Sequence, residues 1–241
     1  MIRTTGDTPA AAGLPTGAEK TERVRAMFDA IAPRYDLVNR VITLGMDRRW
    51  RRRTFRALGL PDGSRILDLA CGTGDLAAVA LEHGCGVVGS DLSRGMLAAR
   101  HHRFPAVQAD ALALPMPTGA LDGVLCGYAL RNFTDLKASL AEVARVLRPG
   151  GRLAALEVAQ PEGGLLRRGF EVWFERCVPA IGGLLSDGAA YRYLPASTAY
   201  LPSPEELRAM LLDVGFSTVG RQLLQGGLSQ IVTATRRGMP R

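Results

Sequence analysis

The chain has 241 residues, 47% of them hydrophobic, which suits one α/β domain with additions and leaves no length for a second comparable one. Thirty basic against 23 acidic residues give a formal net charge of +7, which favours an anionic surface such as membrane headgroups; nucleic acid is the weaker reading, because no nucleic-acid-binding signature accompanies the charge. Cys71, Cys85, Cys126 and Cys177 lie far apart with no C-x-x-C pair, and no long uncharged apolar run occurs, so the sequence argues against a zinc site, a disulfide framework and a membrane-spanning helix.

Residues 1 to 18, rich in Thr, Ala, Gly and Pro, read as a disordered tail without the features of a signal peptide, and residues 19 to 241 as a single domain. A cytoplasmic protein, at most peripheral to the inner face of the cell membrane, is expected. From Glu22 to Leu58 the apolar spacing is helical around Pro33. Within it Arg48, Arg49, Arg51, Arg52 and Arg53 flank Trp50 and read as a solvated helix face or a membrane contact. Next, Arg65 to Ala70 is a short apolar run ending in glycines, a buried strand feeding a tight turn. The pattern then predicts a helix near 75–83, a strand at 86–90, a helix at 93–102, strands at 104–108 and 122–128, a helix at 134–146 and a strand at 152–158. Such alternation implies a mostly parallel, doubly wound sheet with helices on both faces. Residues 163–200 interrupt it with an apolar helical insertion suited to covering a greasy ligand. A helix from Glu205 to Asp213 and two strands joined at Gly226-Gly227 complete the chain.

The chemistry concentrates in Asp68-Leu69-Ala70-Cys71-Gly72-Thr73-Gly74-Asp75, where glycines let the backbone approach a nucleotide-like ligand as a strand turns into a helix. Asp91 ends the following strand, where a carboxylate can accept hydrogen bonds from both ribose hydroxyls. A dinucleotide would bring a pyrophosphate to this helix N-terminus, and Asp68 and Asp75 would repel it. S-adenosylmethionine carries a sulfonium and an ammonium and no phosphate, so an acidic rim of Asp68, Asp75, Asp91 and Asp110 suits it better. The plainer alternative makes Asp75 a helix cap and Asp68 a turn former.

With these residues in place the chain resembles the quinone-pathway C-methyltransferases, the demethylmenaquinone and polyprenyl-benzoquinol methyltransferases, from about Val24 to Arg236. The most specific segments are Phe28 to Asn39, Gly45 to Trp50 and Leu130 to Asp135, followed by Tyr191 to Leu194 with Ser197. The resemblance implies a seven-stranded class I methyltransferase sheet and cofactor contacts at Gly72, Thr73 and Gly74 in the loop, Asp91 on the ribose, Asp110 and Ala111 beside the adenine, and Gly127 after the fourth strand. Gly127 stands where relatives often have Ser, and Gly226 to Ile231 replaces a more apolar, His-containing ending, which leaves the substrate's identity open.

The implied reaction is methylation of a prenylated quinol carbon, demethylmenaquinol before the benzoquinol of ubiquinone synthesis. A small-molecule O- or N-methyltransferase and a non-catalytic cofactor-binding scaffold are the alternatives. Carbon methylation needs a phenolate, and a phenol titrates near ~10, so a cation must lower that value. Arg131, with Asn132 beside it, is the candidate, unless the two merely tie down a loop. Tyr35, Asp36 and Tyr193 are candidates for the polar part of a lid, and Trp173 for the tail channel. His83, His101 and His102 are expected to lie away from the cleft. Whether two copies associate as a homodimer is left open.

Overall fold

The computed structural model describes residues 15–161 and 163–238. Three helices lead the chain: α1 (Gly17–Ile31), α2 (Tyr35–Ile42) and α3 (Asp47–Leu58). Pro33, which cannot continue the helical hydrogen-bond ladder, sits in the tight turn Ala32–Arg34 that separates α1 from α2. Of the tail expected over 1–18, residues 1–14 lie outside the described residues, while Gly17 and Ala18 already belong to the first turn of α1.

The sheet follows as β1 (Arg65–Leu69), β2 (Gly86–Asp91), β3 (Ala106–Gln108), β4 (Leu121–Gly127), β5 (Leu147–Val158), β6 (Phe216–Leu224) and β7 (Ser229–Arg236). Their order is β3-β2-β1-β4-β5-β7-β6, parallel except for β7, which runs antiparallel to both neighbours. Between the strands lie α4 (Asp75–Glu82), α5 (Arg94–Ala98) and α6 (Leu136–Val146), and α10 (Pro204–Asp213) precedes β6. The interior strands are apolar along their length because both faces are covered. Leu67, Leu69, Val124 and Cys126 face α6 and α10, whereas Ile66 and Leu125 face α3 and α4. The strand order reverses between β1 and β4, opening the crevice in which sheets of this kind hold ligands.

Two expected elements are shorter than the pattern suggested. The helix at 93–102 is only α5, and the strand at 104–108 begins at Ala106. Phe104 is diverted inward, its ring closing on Gly74 and Gly89, where any Cβ would stand 2.6 Å from it. The insertion is α7 (Gly164–Val172), one widened turn over Trp173–Cys177, α8 (Val178–Leu185) and α9 (Gly188–Ser197). Ile31, Val38, Met96 and Tyr191 pack together, so the N-terminal helices, α5 and the insertion form one cap over the sheet's carboxyl edge. Among the described residues no helix is long and apolar enough to cross a membrane.

Candidate active site

The loop after β1 turns on left-handed backbone at Ala70, Gly72 and Gly74, with φ of 52°, 53° and 93°. Asp91, at the tip of β2, fastens this loop: its Oδ2 accepts the Gly72 N–H at 2.8 Å and its Oδ1 the Ser93 N–H at 2.8 Å. Each carboxylate oxygen keeps a lone pair for a further donor. A cleft opens here, walled by Gly72, Asp91, Asp110, Ala111 and Gly127 and roofed by Val24 and Phe28 of α1.

Three residues expected beside the ligand stand behind this wall. Asp68 is buried and accepts the Ala77 N–H at 2.8 Å, which holds α4 to β1. Gly74 packs on the Phe104 ring. The buried Thr73 donates to Asp36 Oδ1 at 2.7 Å, and His101 Nε2 lies 2.7 Å from the other oxygen of Asp36. Asp36 therefore clamps α2 to the glycine loop instead of lining a lid, and His101, which does not line the cleft, is part of that clamp.

Burial pushes the Asp68 carboxyl up to about 7. A carboxyl raised in the fold contributes stability while protonated and loses it as pH rises from the unfolded value towards 7. Asp68→Asn should remove that slope. Urea unfolding at pH 5 and pH 7.5 should show a smaller loss for the variant than for the parent, and equal losses would reject the assignment.

Beside the cleft lies a second, larger cavity of about 640 Å³. Phe28, Tyr35 and Tyr128 belong to the walls of both. Trp173, Phe170 and Phe174 of the insertion supply much of its apolar lining, and Arg131 and Arg51 also line it. Arg51 is a correction to the solvated-face reading: it turns inward to pair with Asp47 and, at 2.9 Å, with Asp75, one guanidinium shared between two carboxylates. Arg48, Arg49, Arg52 and Arg53 remain exposed.

Arg131 is 4% exposed and is held through its Nε and Nη1. Its Nε donates to Ser197 Oγ at 3.0 Å, and its Nη1 donates to the Tyr128 carbonyl at 2.9 Å and to Glu157 Oε1. The candidate cation is ion-paired with a carboxylate that has no solvent exposure. Asn132 faces the smaller cleft, and Tyr193, outside both walls, donates its hydroxyl to Asn132 Oδ1 at 3.3 Å. Burial raises the Tyr193 phenol to about 12, so it stays a donor.

Two anchors were not among the candidate site residues, although Asp29 lies inside the Phe28 to Asn39 segment. Lys20 sends its ammonium to the carbonyls of Arg131 at 3.0 Å and Phe133 at 2.8 Å, over the Tyr200 ring, and burial lowers its pKa to about 8. Asp29 accepts from Ser93 Oγ at 2.6 Å and from Gly95 N–H at 2.7 Å. A Cβ at Gly95 would stand 2.9 Å from Asp29 Cα, so only glycine allows that approach.

The model of the ubiE/COQ5 methyltransferase family matches residues 16–236. A demethylmenaquinone methyltransferase from Thermus thermophilus is 46% identical over 87% of this chain and all of its own length. One from Deinococcus radiodurans is 43% identical over 86% of this chain and 90% of its own. A ubiquinone/menaquinone biosynthesis C-methyltransferase from Geobacter sulfurreducens is 39% identical over 90% of each chain. Among solved structures, the [4+2]-cyclase SpnF superposes with a TM-score of 0.67 at 18% identity, covering 95% of this chain and all of its own. A Haemonchus contortus phosphoethanolamine N-methyltransferase in complex with S-adenosylmethionine gives 0.58 at 16% identity, over 78% of this chain and 52% of its own. These likenesses establish the fold.

Proposed function

Because the chain belongs to the ubiE/COQ5 methyltransferase family, we propose that it transfers a methyl group from S-adenosylmethionine to a ring carbon of demethylmenaquinol in menaquinone biosynthesis. The observation that carries this reading is the pair of cavities meeting at Phe28, Tyr35 and Tyr128, one acidic and narrow at the sheet's switch point, the other large and apolar. The naphthoquinol is preferred over the benzoquinol because the relatives at 46% and 43% identity carry the demethylmenaquinone name.

The residues fit the cofactor by the chemistry of their donors and acceptors. Asp91 offers its spare lone pairs to a ribose diol, and Asp110 and Ala111 flank the place for the adenine. Arg25, on the same wall, is answered by Glu22 through a double hydrogen bond, so the cleft keeps an acidic balance suited to a cationic ligand. Bound there, S-adenosylmethionine supplies an electrophilic methyl group. The chain's part is alignment, since holding carbon and methyl in line across a common wall supplies much of the acceleration. Arg131 and Asn132 brace the turn after β4 on either side of that wall. Arg131 faces the quinol side and favours the ring oxygen's anionic form, while its ion pair with Glu157 keeps it fixed in place.

Leu44, 73% exposed in the turn after α2, lines the large cavity, and Leu37 and Val41 on α2 and Val172 and Leu184 on the insertion are also exposed. The exposed Arg40, Arg48, Arg49 and Arg168 give this apolar rim a positive border. An amphipathic rim of this kind suits peripheral contact with anionic lipid, from which a prenylated ring enters the cavity.

Purified protein, labelled S-adenosylmethionine and short-tailed demethylmenaquinol or its benzoquinol counterpart, kept reduced, provide the test. Label on a naphthoquinol ring carbon, read by mass spectrometry, is the expected result. Label on the benzoquinol alone would replace the substrate, and label on oxygen or nitrogen would replace the reaction.

A further inference from the structure

Tyr128 is a bulky residue in the left-handed region, with φ of 58°. Such backbone costs of order 1–3 kcal/mol and persists only where its surroundings enforce it. Here they do: the Tyr128 N–H donates to the Leu156 carbonyl at 2.7 Å, and the Tyr128 carbonyl accepts from Arg131 Nη1 at 2.9 Å. The result is a ring standing between the two cavities, with its hydroxyl 3.0 Å from Ser229 Oγ. Ser229 opens β7, is 2% exposed and lines the large cavity too.

Counting protons shows what this pair lacks. Two hydroxyls carry two protons, and the bond between them uses one. Among the described residues neither oxygen has another partner, so whichever hydroxyl donates, the other's proton has no acceptor in the chain. A donor left without an acceptor at a buried site costs about 1–3 kcal/mol. The other tyrosine common to both walls differs, because Tyr35 is hydrogen-bonded to Asn39. Burial also holds the Tyr128 phenol well above its usual range, which keeps it protonated as a donor.

We propose that the Tyr128–Ser229 hydroxyl pair is a substrate-binding and catalytic element, donating a hydrogen bond to the quinol ring oxygen whose negative charge activates the carbon to be methylated. The inference rests on the quinol reading given above. No covalent bond to the protein is made. The donor stabilises oxygen anion as it develops, and being fixed in place before the substrate arrives, it needs no reorganisation. The pair also orients the ring, because a quinol oxygen held at the wall shared with the cofactor cleft sets the neighbouring carbon facing that cleft.

The test compares Tyr128→Phe with the parent for S-adenosylmethionine affinity, kcat, KM and the pH dependence of kcat on short-tailed demethylmenaquinol. Loss of one fixed oxyanion donor is expected to lower kcat by about 10²-fold, to leave cofactor affinity unchanged, and to move the acid limb of the kcat profile to higher pH, since the bound phenol becomes harder to ionise. 3-Fluorotyrosine incorporated at Tyr128, a stronger donor of nearly the same shape, should move that limb to lower pH, and it serves alone if the Phe variant does not fold. An unmoved acid limb with parental kcat in either variant overturns the proposal. Failure of the parent itself to methylate the quinol would instead overturn the reading on which it rests.

Discussion

Arg131→Ala should lose about 3–5 kcal/mol of folding stability, the cost of leaving one partner of a buried ion pair alone. The side chain meets Ser197, the Tyr128 carbonyl and Glu157 at once, and Glu157 has no solvent to turn to. Its Oε2 already lacks a hydrogen-bond partner, and the Val158 N–H on Oε1 is a neutral donor, so the carboxylate would be left without its ion-pair partner. Against a typical domain stability of about 5–15 kcal/mol this is a large fraction. Pairing the change with Glu157→Gln, which deletes the stranded charge, should restore much of the loss. Urea unfolding of the parent, both single variants and the double variant measures the coupling directly. A single variant within about 1 kcal/mol of the parent would mean that the pair is not holding the turn after β4. Turnover of Arg131→Ala alone would mix chemistry with unfolding, so the role of Arg131 towards the quinol should be read in the double variant.

Asp91→Ala should weaken S-adenosylmethionine binding by about 10²–10³-fold. A hydrogen bond to a charged acceptor contributes about 1.5–3 kcal/mol, and the ribose diol would lose up to two. The Gly72 amide would also lose its tether, so the loop that must approach the ligand closely would no longer be preset. Calorimetric titration with the cofactor alone separates this effect from catalysis. An affinity within a few-fold of the parent would remove Asp91 from the ribose.

Local patterns exposed the sheet and the glycine loop because both depend on neighbours in sequence: apolar runs ending in Gly and Asp, followed by helical spacing. The same locality explains what stayed hidden. Lys20 finds its partners more than a hundred positions away, at the carbonyls of Arg131 and Phe133. The Asp36–His101 contact and the Arg131–Glu157 pair likewise join segments whose approach is decided by packing. Arg51 is the instructive exception. It lies one helical turn after Asp47, on the stripe that also carries the buried Thr54, Phe55 and Leu58, so helical geometry offered a reason to turn it inward. The density of arginines around it masked that reason. Asp36 and Tyr193 show the converse: both stand beside the expected functional residues, yet each is spent on holding a neighbour.

The division of labour between the two cavities bears on how such proteins diversify. The cofactor cleft draws on the ends of β1, β2 and β4 under a roof from α1, whereas most of the larger cavity comes from α1 to α3 and from the insertion over α7 to α9. Substrate scope can therefore drift by exchange of the insertion while the sheet and α1, and with them the donor site, are inherited intact. For the engineer, that makes the segment 163–200 a cassette to recombine between relatives, whereas a graft of 17–58 carries the cleft's roof with it and must reproduce the Lys20 and Asp29 anchors.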